Sequence, residues 1–181
     1  MRGNFPRCIP FTIGPSANGP LGEEGGWSDR ANPTMRGITL STFRSWCWRL
    51  GLPEPDRLAL RDIDDVTVVA IYRERYWDMV DGDGLPLGVD LSVFDAGVNT
   101  GTETAAMQLQ RILRVTADGD IGPITCAAAA VVAPLVLISD LADAQAAYYR
   151  SLPEFPESGA GWLARAERRR QAAVAMLAPV G

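Results

Sequence analysis

Glu23-Glu24-Gly25-Gly26-Trp27-Ser28-Asp29 brings two adjacent carboxylates, a double glycine, an aromatic ring and a third carboxylate into one short stretch, and the chain is read outward from it. Gly25 and Gly26 let the backbone fold closely around whatever the carboxylates meet, so Glu24 is presented at an edge. Breaking a glycosidic bond needs a protonated carboxylic acid at the leaving oxygen, kept protonated by apolar or aromatic surroundings. Trp27 can supply that surrounding, or a surface on which a sugar ring stacks. The same residues also suit a solvated surface turn, and composition alone leaves both readings open.

Composition narrows the chemistry. The chain has 181 residues, 47% of them apolar, which is enough for a sizeable core. Its net charge of −5 and lack of histidine argue against a nucleic-acid footprint, which needs clustered positive charge. Without histidine there is no Ser-His or Cys-His catalysis and no imidazole metal ligand, so acid-base work falls to carboxylates. Cys8, Cys47 and Cys126 are far apart and form no Cys-x-x-Cys pair, which predicts reduced, mostly buried thiols and neither a disulfide framework nor a metal cluster. Asp81-Gly-Asp-Gly84 lacks the further ligands of a calcium loop and reads as a turn. No run is long enough to span a bilayer, and the first residues lack the apolar segment of a secretory signal; the expectation is synthesis in a bacterial cytoplasm.

Beyond the opening stretch, Glu24-Gly-Gly-Trp27-Ser-Asp followed by Thr34-Met-Arg-Gly-Ile-Thr39 resembles the start of the glycoside hydrolase 108 family, peptidoglycan muramidases of phage and prophage endolysin type. The likeness continues in order through Tyr72-Arg-Glu-Arg-Tyr76-Trp77, Leu85-Pro86 and Val93-Phe-Asp95-Ala-Gly-Val-Asn99-Thr-Gly101. Leu109-Gln-Arg111, Ala117-Asp-Gly-Asp-Ile-Gly-Pro123, Tyr149-Arg-Ser-Leu-Pro153 and Gly161-Trp162-Leu163-Ala-Arg165 resemble the peptidoglycan-binding module that accompanies that catalytic part. The resemblance implies an all-α, lysozyme-like fold with a packed C-terminal helical half. It divides the chain into a catalytic domain over 1–105, with an irregular segment over 1–22, and a peptidoglycan-binding-like domain over 106–181. It also implies peptidoglycan glycan strands as substrate, no cofactor, and holin-dependent delivery or packaging with phage virion proteins, so that the protein acts in the periplasm and cell wall.

The remaining sequence supplies the elements. Prolines and glycines break residues 1–22 and leave room for only a short helix or an extended segment; the family resemblance implies a curtailed helix over Phe5 to Ile13. Thr39 or Ser41 caps a helix that ends at Gly51, with Leu40, Phe43 and Cys47 inward. Trp46 and Trp48 are expected to pack at the core or its edge. Asp64 or Asp65 starts a helix running to Trp77, with Val69, Tyr72 and Tyr76 on its core stripe and Val66, Ala70 and Trp77 beside it. Asp90 to Asn99 is apolar nearly all round and predicts a central buried helix in which Asp95 and Asn99 share a face. That pair either braces neighbouring elements or faces substrate. Gly101 ends that helix, Thr102 caps the next, Pro123 opens another, and a last helix runs from Trp162 to Leu177 after a break at Leu152 to Pro156. Arg165 and Arg168 to Arg170 form a basic patch that contacts peptide-stem carboxylates or neutralises nearby acids, or, as the favoured reading, is a solvated face.

The resulting expectation is cleavage of the β-1,4 bond between N-acetylmuramic acid and N-acetylglucosamine. Glu24 is the general acid, Glu23 its fallback, and Asp29 the second carboxylate that activates water or stabilises charge on the sugar. Trp27, Thr39, Tyr72, Tyr76, Trp77, Asp95 and Asn99 are the substrate-binding candidates, and no metal ligand is expected. Two alternatives stay open: a lytic transglycosylase at the same bond, and a non-catalytic peptidoglycan-binding component of a phage tail or secretion apparatus.

Overall fold

A computed structural model of the chain describes residues 3–13 and 33–178. Among the described residues the fold is all-α apart from one two-stranded hairpin. Its described residues fall into two compact units, Ile9–Arg75 and Met1–Cys8 with Tyr76–Gly181. The expected border at 105/106 is therefore not where the compact units divide. The reason is the central helix, which packs with the C-terminal helices.

Helix α1, Phe5–Ile13, buries Phe5, Cys8, Ile9, Thr12 and Ile13, the i, i+3, i+4, i+7, i+8 stripe of an amphipathic helix. Pro6 sits in its first turn, where a missing N–H costs nothing; Pro10 lies within it.

In the smaller unit, strands β1 (Thr34–Met35) and β2 (Ile38–Thr39) pair antiparallel, Thr34 opposite Thr39 and Met35 opposite Ile38. Helix α2 is Leu40–Arg49. Thr39, not Ser41, is its cap: the Thr39 hydroxyl accepts the Thr42 N–H at 3.1 Å. Leu40, Phe43 and Cys47 are its buried face, as their spacing predicts. Trp48, however, is 80% exposed, so the expectation of core or edge packing fails there. A short helix α3, Arg57–Arg61, capped by Asp56, follows. Asp64 caps α4, Asp65–Tyr72, by accepting the Thr67 N–H.

The buried face of α4 is Val68, Ile71 and Tyr72; Val66 is 78% exposed and Val69 only half-buried, so the predicted stripe is out of phase. The helix also does not run on as α to Trp77. It widens into a π-turn over Arg73–Trp77, then two short 3₁₀ segments. A turn with i to i+5 bonds is wider than an α-turn, so a reading at 3.6 residues per turn loses its phase beyond Tyr72.

In the larger unit, α5 (Val89–Thr100) is buried continuously from Val89 to Gly97 and packs against α6 (Thr102–Leu113), α8 (Pro134–Arg150) and α9 (Phe155–Ala175). Phe5, Trp77 and Phe94 form a ring cluster at one side of it, with centroids 5.3–5.7 Å apart and mostly edge-to-face. Gly101 serves as both the C-cap of α5 and the N-cap of α6, so Thr102 is the first helical residue and not the cap. Helix α7, Pro123–Ala130, opens on its proline as expected. Helix α9 begins earlier than predicted, because Pro156 lies in its first turn, where proline starts a helix as readily as it ends one.

Candidate functional site

Four of the expected site residues, Glu23, Glu24, Trp27 and Asp29, lie outside the described residues. The described part of the region they lead into is the hairpin and its supports. Between β1 and β2 the two-residue loop Arg36-Gly37 has positive φ at both positions, 52° and 74°, as a primed hairpin turn requires. The Tyr72 hydroxyl donates to the Arg36 carbonyl at 3.0 Å. A Cβ on Gly37 would come within 2.6 Å of that hydroxyl, so both the backbone angle and the close approach call for glycine. The Arg36 guanidinium pairs with Asp65 at the start of α4. The turn is thus held at its carbonyl and at its side chain by one helix.

Thr39 ends this hairpin. Besides capping α2, its hydroxyl lies 2.9 Å from the Ser41 hydroxyl and 2.8 Å from that of Thr42. Tyr72 itself is buried. The structure therefore brings Thr39 and Tyr72 together around one hairpin and gives each a structural hydrogen bond. On the π-turn, Glu74 accepts the Trp46 indole N–H at 2.9 Å and pairs with Arg49. The Arg49 hydrogen bond is the main cause holding the Glu74 carboxyl below its ordinary range. Trp46 is thus half-buried with its polar edge satisfied, which fits edge packing.

The other candidates belong to the larger unit. Tyr76 is half-buried. Trp77, expected beside a cleft, is fully buried in the ring cluster with Phe5 and Phe94, so it is a core residue and not a surface for sugar. Asp95 is fully buried on α5 and answers the question its position posed. Its carboxylate accepts from Arg165 Nη2 at 2.6 Å and Nε at 3.3 Å, and from Arg169 Nη1 at 3.1 Å. Asn99 Nδ2 donates to the Asp95 carbonyl at 2.6 Å and lies 3.4 Å from its carboxylate. Asp95 is a brace between α5 and α9. This corrects the reading of Arg165 and Arg169 as a solvated face, since Arg169 is only 2% exposed; Arg168 does face solvent. The signal that points to them is the spacing of the two arginines by four on one helix, opposite a buried carboxylate that must find partners. Arg169 also hydrogen-bonds the buried Tyr149 hydroxyl, whose pKa is raised chiefly by burial.

Another buried carboxylate, Asp90, accepts from Asn4 Nδ2 at 2.6 Å and from the Gly88 and Leu91 N–H groups, and desolvation still holds its pKa above the ordinary value. Cys8 and Cys47 are buried free thiols, while Cys126 is half-buried with its thiol 3.2 Å from Asp81, burial pushing it up to about 12. Among the described residues, no group of three or more His, Cys, Asp or Glu side chains could hold a metal ion, and no single helix is long and apolar enough to cross a membrane.

Comparison with known proteins bears on both units. A family model described as Glycosyl hydrolase 108 matches residues 19–101, and one described as Predicted Peptidoglycan domain matches residues 104–167. Among solved structures, the chain is similar to that of Brucella abortus SagA, at 31% identity, over 99% of each chain and with a TM-score of 0.83. No curated protein matches it.

Proposed function

Since the chain belongs to the glycosyl hydrolase 108 family and is a glycoside hydrolase acting on peptidoglycan, we propose that it is an N-acetylmuramidase with Glu24 as its general acid. The bond cleaved is the β-1,4 link between N-acetylmuramic acid and N-acetylglucosamine. The observation that carries this reading is the placement of Glu24, with Gly25-Gly26-Trp27 directly behind it, inside the matched region of a chain without histidine. A carboxylic acid is then the group able to protonate the leaving oxygen.

The protonated Glu24 carboxyl donates to the glycosidic oxygen as the bond to the sugar carbon breaks, leaving positive charge on that ring. Asp29 stabilises this charge or takes the proton from the attacking water, and Glu23 stands in for Glu24 if the doubled glutamates present the other side chain. Trp27 keeps the acid protonated or stacks on the ring. The hairpin braced by Tyr72 and Arg36 leads from this stretch into α2, and Thr39, Tyr76 and Asn99 remain the proposed substrate contacts. Such activity suits phage-type host lysis, with delivery to the cell wall through a holin or inside a virion.

The test is turnover of purified peptidoglycan by the parent chain and by Glu24→Gln, with products identified by mass spectrometry. Reducing muramic ends from the parent, and loss of at least about 100-fold in the folded variant, support the reading, since general acid catalysis contributes roughly 10²–10⁴-fold. Anhydro-sugar products make the protein a lytic transglycosylase. Binding without any turnover makes it a wall-binding component.

A further inference from the structure

A pocket of about 280 Å³ in the larger unit is lined by Asn99, Thr100, Tyr148, Tyr149, Leu152 and Trp162, side chains from α5, α8, α9 and the α8–α9 connection. Three aromatic rings and two uncharged polar groups converge there, which is the composition of a small-ligand site. The Tyr149 and Trp162 rings stand 5.3 Å apart at 33°, and the Tyr148 ring is 6.1 Å from that of Tyr149. Tyr149 is buried and tied to Arg169, so it forms a fixed wall, while Trp162 is half-buried and keeps part of its ring open.

The polar edge has a definite character. Because the Asp95 carbonyl can only accept, the Asn99 side chain must turn its NH₂ toward it, which leaves Oδ1 of this exposed residue as an acceptor. Thr100 donates its hydroxyl hydrogen to the Ala96 carbonyl at 2.9 Å, so its oxygen also presents lone pairs. The residues that line the pocket carry no charge; beside it, the single Asp95 carboxylate pairs with both Arg165 and Arg169. The pocket therefore suits a neutral ligand that is rich in donors on its edge, has an apolar face and is about one ring in size.

We infer that this pocket is an N-acetylhexosamine subsite, which binds one pyranose of a glycan strand by stacking it on the open part of the Trp162 ring, which Tyr149 backs, while Asn99 and Thr100 accept from its hydroxyl or amide N–H groups. The ligand class rests on the peptidoglycan reading above; the pocket chemistry does not. It gives the larger unit a grip on the strand.

The test uses the full-length chain carrying Glu24→Gln, titrated with tri-N-acetylchitotriose, while the Trp162 indole N–H resonance is followed by NMR. Trp162→Phe assigns that resonance by its disappearance and retains a stacking ring. The expected result is a saturable shift of the Trp162 signal, with the dissociation constant raised about 5-fold in Thr100→Val, an isosteric change that removes one acceptor. Trp162→Ala, checked for folding by circular dichroism, should weaken retention on insoluble peptidoglycan about 10-fold. A Trp162 resonance unmoved at saturating chitotriose, or an unchanged constant in Thr100→Val, overturns the inference. Turnover by the parent chain is measured in parallel: if it proceeds while the pocket fails to bind, the subsite alone is wrong, and if it is absent, the muramidase reading fails independently.

Discussion

Replacing Asp95 by Asn should be among the most damaging single changes in the larger unit. The substitution keeps the shape of the side chain and removes its charge. Asp95 is fully buried, and its two oxygens receive hydrogen bonds from both Arg165 and Arg169. Arg165 can turn to water, because its side chain is already 22% exposed, but Arg169 at 3% cannot. The cost is therefore that of one uncompensated buried guanidinium, about 3–5 kcal/mol. In a domain of this size that corresponds to a fall in Tm of about 6–20 °C. Urea and thermal unfolding followed by far-ultraviolet circular dichroism measure it. The companion variant, Asp95→Leu with Arg169→Met, removes both buried charges and should lie within about 2 kcal/mol of the parent, since well-packed apolar replacements of a buried pair are often neutral. If Asp95→Asn unfolds within about 1 kcal/mol of the parent, or if the double variant is as damaged as the single one, Asp95 is not the brace described.

Removing the Tyr72 hydroxyl in Tyr72→Phe should cost about 0.5–1.5 kcal/mol, and Gly37→Ala should cost more, because it adds a strained positive φ and a clash with that hydroxyl; chemical denaturation ranks the two. Glu74 has its pKa lowered in the folded state by Arg49, so its contribution is present above the ordinary value of 4.5 and lost as pH falls; Glu74→Gln should flatten the acid limb of the stability curve, and parallel curves would refute this. Asp90 runs the other way: its pKa is raised by burial, so the native state binds the proton more tightly, stability is fully present below 3.8, and it declines as pH rises through the folded value. Asp90→Asn should remove that decline, visible as a stability difference from the parent that changes with pH.

What could be read along the chain was whatever depends on local rules. The α2 face of Leu40, Phe43 and Cys47, the buried run from Asp90 and the helix opened by Pro123 follow from spacing and capping chemistry, because neighbours a turn apart decide them. The glycoside hydrolase resemblance was legible for a similar reason: it rests on short motifs in order. What the chain order could not decide was which polar groups meet. Asp95 on α5 and Arg169 on α9 are 74 residues apart, and only packing turns a basic patch into a buried counter-charge. The π-turn after Tyr72 shifted the phase of the helix, and Trp77, given a place beside the cleft by the family resemblance, is core. Asn99, Tyr149 and Trp162 lie on three separate helices, and their convergence on one pocket is a property of the tertiary structure alone. Periodicity records which face of an element is apolar; the identity of what that face meets is set by the packing of elements distant in sequence.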